Sequence, residues 1–278
     1  MNRKTAIITG SSSGFGLLCA IELARNGFQV IGTMRNVDKA VTLLERANER
    51  NVSEFIKVFP LDVTSSESIN DLKNYLREFH SIDILVNNAG FAVGGFCEEL
   101  SIEDYRKQFE TNFFGIIEVT QMVLPFMRAN RHGRVINMSS ISGRMGFPGL
   151  SAYSSSKYAL EGFSESLRLE VKPFGIDVVL VEPGSYATNI WSGVETIKIN
   201  QDSPYQSYLK GIKCEIETGK KDHGDPQDVA QLVAQIATQT KSPDLRYPIG
   251  KGVKKNLLLK NMLPWKMIED VILKRIHN

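Results

Sequence analysis

"TAIITGSSSGFGLLCAIELARNG" (residues 5–27) joins a short β-branched run, a turn of glycines and serines, and an apolar stretch of helical length. Gly10, Gly14 and Gly16 lack Cβ atoms, so the backbone there turns sharply and can approach a pyrophosphate closely. A helix that opens at such a turn aims its N–H groups and its positive dipole end at bound phosphates. A plain tight turn would not call for three glycines and three serines between the first strand and the first helix.

The same alternation continues along the chain. "FQVIGTM" (28–34), "FIKVFPLD" (55–62), "DILVNNAG" (83–90), "RVINMSS" (134–140) and "DVVLVEPG" (177–184) are nearly continuous in Val, Ile and Leu. Such runs suit strands buried on both faces. Amphipathic stretches of helical length lie between them. One opens at "SIED", with Ser101 and Asp104 at capping-box spacing. Another opens at "DPQD", with Asp225 as N-cap and Pro226 at the first helical position. The pattern predicts an α/β fold: a single-domain, Rossmann-type, doubly wound parallel sheet with helices on both faces. No linker or repeat divides the 278 residues, so residues 1–278 are expected to form one nucleotide-binding domain.

Composition excludes several classes. A net charge of +2 gives no reason to expect nucleic-acid binding. Cys19, Cys97 and Cys214 are odd in number and far apart, which fits a reducing compartment better than a disulfide framework. His80, His132, His223 and His277 lack metal-ligand spacing, so no metal is expected. No apolar run approaches the ~20 residues that span a bilayer, and "TAIITG" is too short an apolar run for a signal peptide to be expected. A cytoplasmic protein is expected.

"SAYSSSKYALEG" (151–162) sets Tyr153 four residues before Lys157. On a helix these positions are stacked neighbours, whereas Tyr158 points elsewhere. Tyr247 and Lys251 share the spacing, but Pro248 and Gly250 argue against a helix there. A free phenol has a pKa of about 10, and a nearby ammonium is expected to lower it by roughly 1–3 units. Two nucleophilic-serine readings compete. "GSSSG" (10–14) matches a nucleophile elbow with Ser12 at its centre, but only nine residues precede it, too few for an oxyanion-hole loop. Ser154-x-x-Lys157 matches penicillin-binding enzymes, but neither S-D-N nor K-T-G occurs. Ser139 and Ser140 end the fifth run, where open parallel sheets bind ligands, and either hydroxyl could stabilise developing negative charge. After the second run, Met34 occupies the place where NAD-preferring folds carry an acid, and Arg35 follows. An arginine there attracts a 2′-phosphate, so NADP(H) is the expected cofactor, with NAD(H) the alternative.

The T-G-x-x-x-G-x-G turn, "NNAG" at 87–90 and the tyrosine–lysine pair, in this order, resemble the short-chain dehydrogenase/reductase family in its compact branch, near the steroid and retinol dehydrogenases. The resemblance covers residues 5 to 240. It implies a catalytic set of Asn112, Ser140, Tyr153 and Lys157. The family's serine lies thirteen residues before its tyrosine, which selects Ser140 over Ser139. Asn112, in "ETNFFG", would help organise water and Lys157. Cofactor contacts are implied for Gly10, Ser11, Ser13, Gly14, Phe15, Gly16, Arg35, Asp62, Val63, Asn88, Ala89, Gly90, Tyr153, Lys157, Pro183, Gly184 and Thr188. Asp62 would meet the adenine amino group, Val63 the ring, and Thr188 the nicotinamide carboxamide. The activity implied is hydride transfer between NADP(H) and a carbonyl or alcohol. The alternative is a nucleotide-sensing module without turnover. A homodimer or homotetramer is expected, with Phe109, Phe113, Ile116 and Ile117 either core or subunit seam.

The segment 185–224 contains Tyr186, Ile190, Trp191, Val194, Ile197, Tyr205, Tyr208 and Leu209 and is expected to cover a bulky apolar substrate. Lys198, Lys210 and Lys213 leave an acidic substrate open. The final stretch, 254–278, is apolar and rich in lysine, with Ile268, Val271, Ile272 and Ile276 on one helical face. Membrane surface, pocket cap and subunit contact are its three readings.

Overall fold

The computed structural model describes residues 3–188 and 202–277. Seven strands form one parallel sheet: β1 (Thr5–Ile8), β2 (Gln29–Met34), β3 (Ile56–Pro60), β4 (Ile84–Asn87), β5 (Gly133–Met138), β6 (Ile176–Pro183) and β7 (Arg246–Ile249). Their order is β3-β2-β1-β4-β5-β6-β7. The order reverses between β1 and β4, and at such a switch point a crevice opens beyond the strand carboxyl ends.

Alternate residues of the central strands enter different cores, as strand geometry requires. Ile8, Val86 and Ile136 pack on one face, with Leu17 and Leu23 of α1 (Gly14–Arg25) and Val229 and Val233 of α8 (Pro226–Thr238). Ile7, Leu85 and Val135 pack on the other, against Leu72 of α3 (Ser66–Leu76), Val123 of α5 (Gly115–Ala129) and Leu167 of α6 (Ser151–Val171). This two-sided burial is why the strands read as unbroken apolar runs. The helix starts are where the caps put them. Ser101 and Asp104 close a capping box on α4 (Ile102–Phe109), and the Asp225 carboxylate accepts from the Gln227 N–H at the start of α8.

Two features depart from the pattern. The helix after "SIED" is not continuous: a π-helical turn, Glu110–Phe114, separates α4 from α5 and carries Asn112. Such turns widen a helix by one residue and occur often at functional sites. Directly after it, a Cβ on Gly115 would lie 2.5 Å from the Val63 carbonyl oxygen, so the chain can pass there only as glycine. The second departure is β7, whose four residues include a proline and carry no strand signal. Tyr247 lies in this strand and Lys251 beyond it, so that pair shares no helical face.

Candidate active site

The turn after β1 is held from within. Gly10 has φ +68°, and a Cβ there would meet the Ala89 Cα at 2.8 Å. A Cβ on Gly16 would lie 2.3 Å from the Gly10 carbonyl oxygen and 2.4 Å from Asn88 Nδ2. Asn88 Nδ2 donates to the carbonyls of Thr9 (2.9 Å) and Gly10 (3.0 Å), and the Thr9 hydroxyl accepts from the Asn88 and Ala89 N–H groups, each at 2.9 Å. The "NNAG" segment and the glycine turn are therefore one unit. Ser11 faces inward: fully buried, its hydroxyl donates to the Thr33 carbonyl at 3.1 Å. Ser13 is exposed at the N-cap of α1 and caps nothing. The Leu17 N–H is bonded to the Ser13 carbonyl, while the N–H groups of the helix's first turn precede the intrahelical ladder. A glycine cradle under a helix N-terminus with no side-chain cap fits a dinucleotide diphosphate. Phe15 packs edge-on against Tyr186, ring centroids 5.5 Å apart. Gly90 lies against Asn112, whose Oδ1 would be 3.2 Å from a Cβ there.

At the end of β2, Met34 is buried and Arg35 is exposed, with no ion pair among the described residues. At the end of β3, the Asp62 carboxylate accepts from the Thr64 N–H (3.0 Å) and hydroxyl (2.8 Å). Burial pushes the Asp62 carboxyl up, but the Thr64 bonds and the nearby Arg35 charge outweigh it and hold the group below its ordinary value. Val63 is buried in the core beside Leu61. On the far side, Pro183 ends β6, and the Gly184 N–H donates to the Ile249 carbonyl at 2.9 Å. Thr188 returns to the glycine turn, its Cβ 3.9 Å from where one on Gly14 would be.

Tyr153 and Lys157 lie one turn apart on α6, both buried, at 6% and 5% exposure. Lys157 Nζ donates to the Met138 carbonyl at the end of β5 (2.7 Å) and lies 5.8 Å from the centre of the Tyr153 ring. Ser140 lies close enough to the Tyr153 phenol to pull its pKa down. Ser139 points elsewhere, its hydroxyl donating to Glu161. The two adjacent serines thus face different partners. Tyr158 is largely exposed. Asn112 is fully buried, and both its amide atoms hold Phe91: Nδ2 donates to the carbonyl (2.9 Å) and Oδ1 accepts from the N–H (3.1 Å). The side chain therefore braces the loop after β4 rather than reaching Lys157.

The expected lowering of the phenol is not what this geometry gives. Burial pushes Tyr153 up to about 12, offset only in part by Ser140. Burial also pulls Lys157 down to about 8, against the raising effect of Glu161. A cation that is itself desolvated and bonded to a carbonyl does not outweigh the burial of the phenol beside it.

Beneath Lys157 lies a charge cluster that the sequence reading missed. Glu161, one further turn along α6, is pushed up to about 7 by burial, with Ser139 and Arg246 opposing and Glu182 adding. Arg246 Nε of β7 lies 2.9 Å from Glu161 and 3.3 Å from Glu182, and Arg144 Nη1 lies 3.0 Å from Glu182. Glu182 is fully buried, with Oε2 unpartnered among the described residues. A carboxylate inside the apolar run "DVVLVEPG" was the available signal, because an unpaired charge there would be too costly to bury.

Of the covering segment, residues 185–188 and 202–224 are described, with Tyr186 buried and a helix α7 (Gln206–Gly219); Ile190, Trp191, Val194, Ile197 and Lys198 lie outside the described residues. Ile216 of α7 packs against Tyr153, Ala92 and Leu150. Tyr205 stacks on Phe96 at 4.4 Å, beside the buried Leu209 and Ile212. A cleft of about 690 Å³ opens next to this cluster, lined by Phe147, Ser154, Tyr158, Tyr208 and Trp265 among others.

The short chain dehydrogenase family profile matches residues 4–198. The chain belongs to the short-chain dehydrogenase family. This short-chain dehydrogenase is 50% identical to an uncharacterized oxidoreductase, YusZ, of Bacillus subtilis over the whole of both chains. It is 35% identical to the 3-ketodihydrosphingosine reductase of Bacteroides thetaiotaomicron, over 91% of this chain and 90% of that one. Human retinol dehydrogenase 8 is 34% identical over 86% of this chain and 79% of its own length. Among solved structures, a short-chain dehydrogenase of Streptomyces avermitilis superposes with a TM-score of 0.80 at 33% identity, covering 99% of this chain and 96% of that one. The oxidoreductase class and the Rossmann-type fold stand on these matches.

Proposed function

We propose that this short-chain dehydrogenase transfers a hydride between NADP(H) and a carbonyl or secondary alcohol of a bulky, apolar substrate. The observation that carries the reading is the buried Tyr153 phenol, with Ser140 beside it and Lys157 one turn away on α6. When bound, the nicotinamide supplies the hydride. Tyr153 gives its proton to the carbonyl oxygen in reduction and accepts it back in oxidation. Ser140 donates to the same oxygen and stabilises its developing negative charge. Lys157, mostly charged at neutral pH with a pKa of about 8, favours the phenolate that remains. The Met138 carbonyl fixes the ammonium, and Asn112 fixes the Phe91 loop.

Arg35, exposed and without an ion pair among the described residues, supports a 2′-phosphate and hence NADP(H) over NAD(H). Asp62 and Val63 are the proposed adenine contacts, and Pro183, Gly184 and Thr188 the proposed nicotinamide side. The 185–224 segment is the proposed substrate cover, supported by the packing of Ile216 on the cluster of Ala92, Leu150 and Tyr153. Two relatives are named for lipid substrates, a long-chain base and a retinoid, which favours an apolar carbonyl. A homodimer or homotetramer is supported by the half-buried Phe109, Phe113 and Ile117 beside the exposed Phe114. No observation favours a sensor without turnover, which would have no use for the buried phenol. The test is a spectrophotometric screen of NADPH and NADH oxidation against long-chain aldehydes, retinoid aldehydes and long-chain ketones. NADPH-dependent reduction of the apolar members is expected; inactivity across the panel with both cofactors would reject the reading.

A further inference from the structure

Helices α9 (Val253–Met262) and α10 (Trp265–His277) each have a covered face and a bare apolar one. On α9, Val253 and Leu257 are buried one turn apart, while Leu258, Leu259 and Met262 are 59%, 40% and 72% exposed. On α10, Ile268, Ile272 and Ile276 form the inner stripe; the last two pack with Phe96, Leu209 and Ile212. Val271 is not part of that stripe, as its spacing had suggested, but is 53% exposed, with Met267 one turn before it at 51%. Trp265, between the two bare faces, is 56% exposed. The charge on this surface is predominantly basic: Glu269 and Asp270 are exposed beside Val271, against Lys254, Lys255, Lys260, Lys266, Lys274 and Arg275. Lys254, Lys255, Lys260 and Lys266 lie between Val253 and Ile268, and that stretch contains no Asp or Glu. Four lysines in sixteen residues, on a chain whose net charge is only +2, make a local basic patch interleaved with large apolar side chains.

We propose that this face docks on an anionic lipid surface. The exposed Leu258, Leu259, Met262, Met267 and Val271 enter the boundary between headgroups and acyl chains, Trp265 sits at headgroup level, and the lysines pair with lipid phosphates. Charge selects the lipid over a second copy of the chain. A two-fold contact would set this net-basic face against itself, with only Glu269 and Asp270 to pair six basic side chains. The bare apolar groups distinguish the face from a surface that binds polyanions by charge alone. No helix among the described residues is long and apolar enough to cross a membrane, so the attachment is peripheral. Trp265 also lines the cleft beside the Tyr153 cluster, which sets the bilayer at the rim of that cleft. The docking does not depend on which substrate the cleft takes.

Cosedimentation of the full chain with vesicles tests this, using phosphatidylglycerol–phosphatidylcholine mixtures against phosphatidylcholine alone. Binding to the anionic vesicles is expected to be at least about tenfold stronger. It is expected to weaken when salt rises from about 0.1 M to about 0.5 M. Lys254→Glu with Lys255→Glu should lower it by about tenfold or more. Leu258→Glu with Met262→Glu should abolish it while leaving turnover of a water-soluble aldehyde unchanged, which shows the variant folded. In a Trp191→Phe background, Trp265 emission should shift to the blue on binding. Equal binding to neutral and anionic vesicles, or none at low salt, would overturn the proposal. So would conversion of an oligomer to monomer by Leu258→Glu with Met262→Glu in ultracentrifugation, which would make this face a subunit contact.

Discussion

The turn after β1 and the start of α6 both stand at the carboxyl edge of the sheet, yet they are built from different physics. The turn is a matter of shape. Gly10 and Gly16 leave no room for a Cβ, and Thr9 and Asn88 knit its backbone to "NNAG" with uncharged hydrogen bonds. The α6 side is a matter of charge. Tyr153, Lys157 and Glu161 are buried and far from their ordinary pKa values, at about 12, 8 and 7. Substitution on the first side should act through fit, and on the second through protonation.

Gly16→Ala strains the comparison most. A methyl 2.3 Å from the Gly10 carbonyl must displace backbone, so a stability loss of about 1–3 kcal/mol is expected by thermal unfolding. Weaker NADPH binding should accompany it, with no change in the shape of any pH profile. Arg35→Asp leaves the turn intact and removes a charge, so the NADPH-to-NADH preference in kcat/KM should fall by about tenfold to a hundredfold. An unchanged ratio would remove Arg35 from the account. The smallest effect is a pure pH shift. Glu161 raises Lys157 toward its present value of about 8, so Glu161→Gln should lower the lysine further. The alkaline loss of reductase activity should then begin at lower pH. Glu165→Gln, which leaves the Lys157–Glu161 pair in place, should not move it.

The shape side was nearly all legible in the sequence, because glycine excludes alternatives residue by residue and buried parallel strands show as unbroken apolar runs. Tyr153 and Lys157 were legible because helical period alone makes positions four apart neighbours. The direction of the Tyr153 shift was not, since burial on every side is a tertiary property that spacing does not carry. Glu161, Glu182 and Arg246 meet from α6, β6 and β7, and only folding brings them together. The four residues of β7 were missed because Pro248 argues against a strand. Val271 was misplaced because both faces of α10 are apolar, so periodicity could not say which one the chain covers.

The central claim is that a buried phenol is the proton donor beside a bound dinucleotide. The direct measurement is carbonyl-reduction kcat for Tyr153→Phe against the parent chain, with NADPH affinity determined by fluorescence titration on the same samples. The account predicts a loss of kcat of about 10²–10⁴-fold with affinity retained. Turnover at the parent rate, with NADPH still bound, would contradict it.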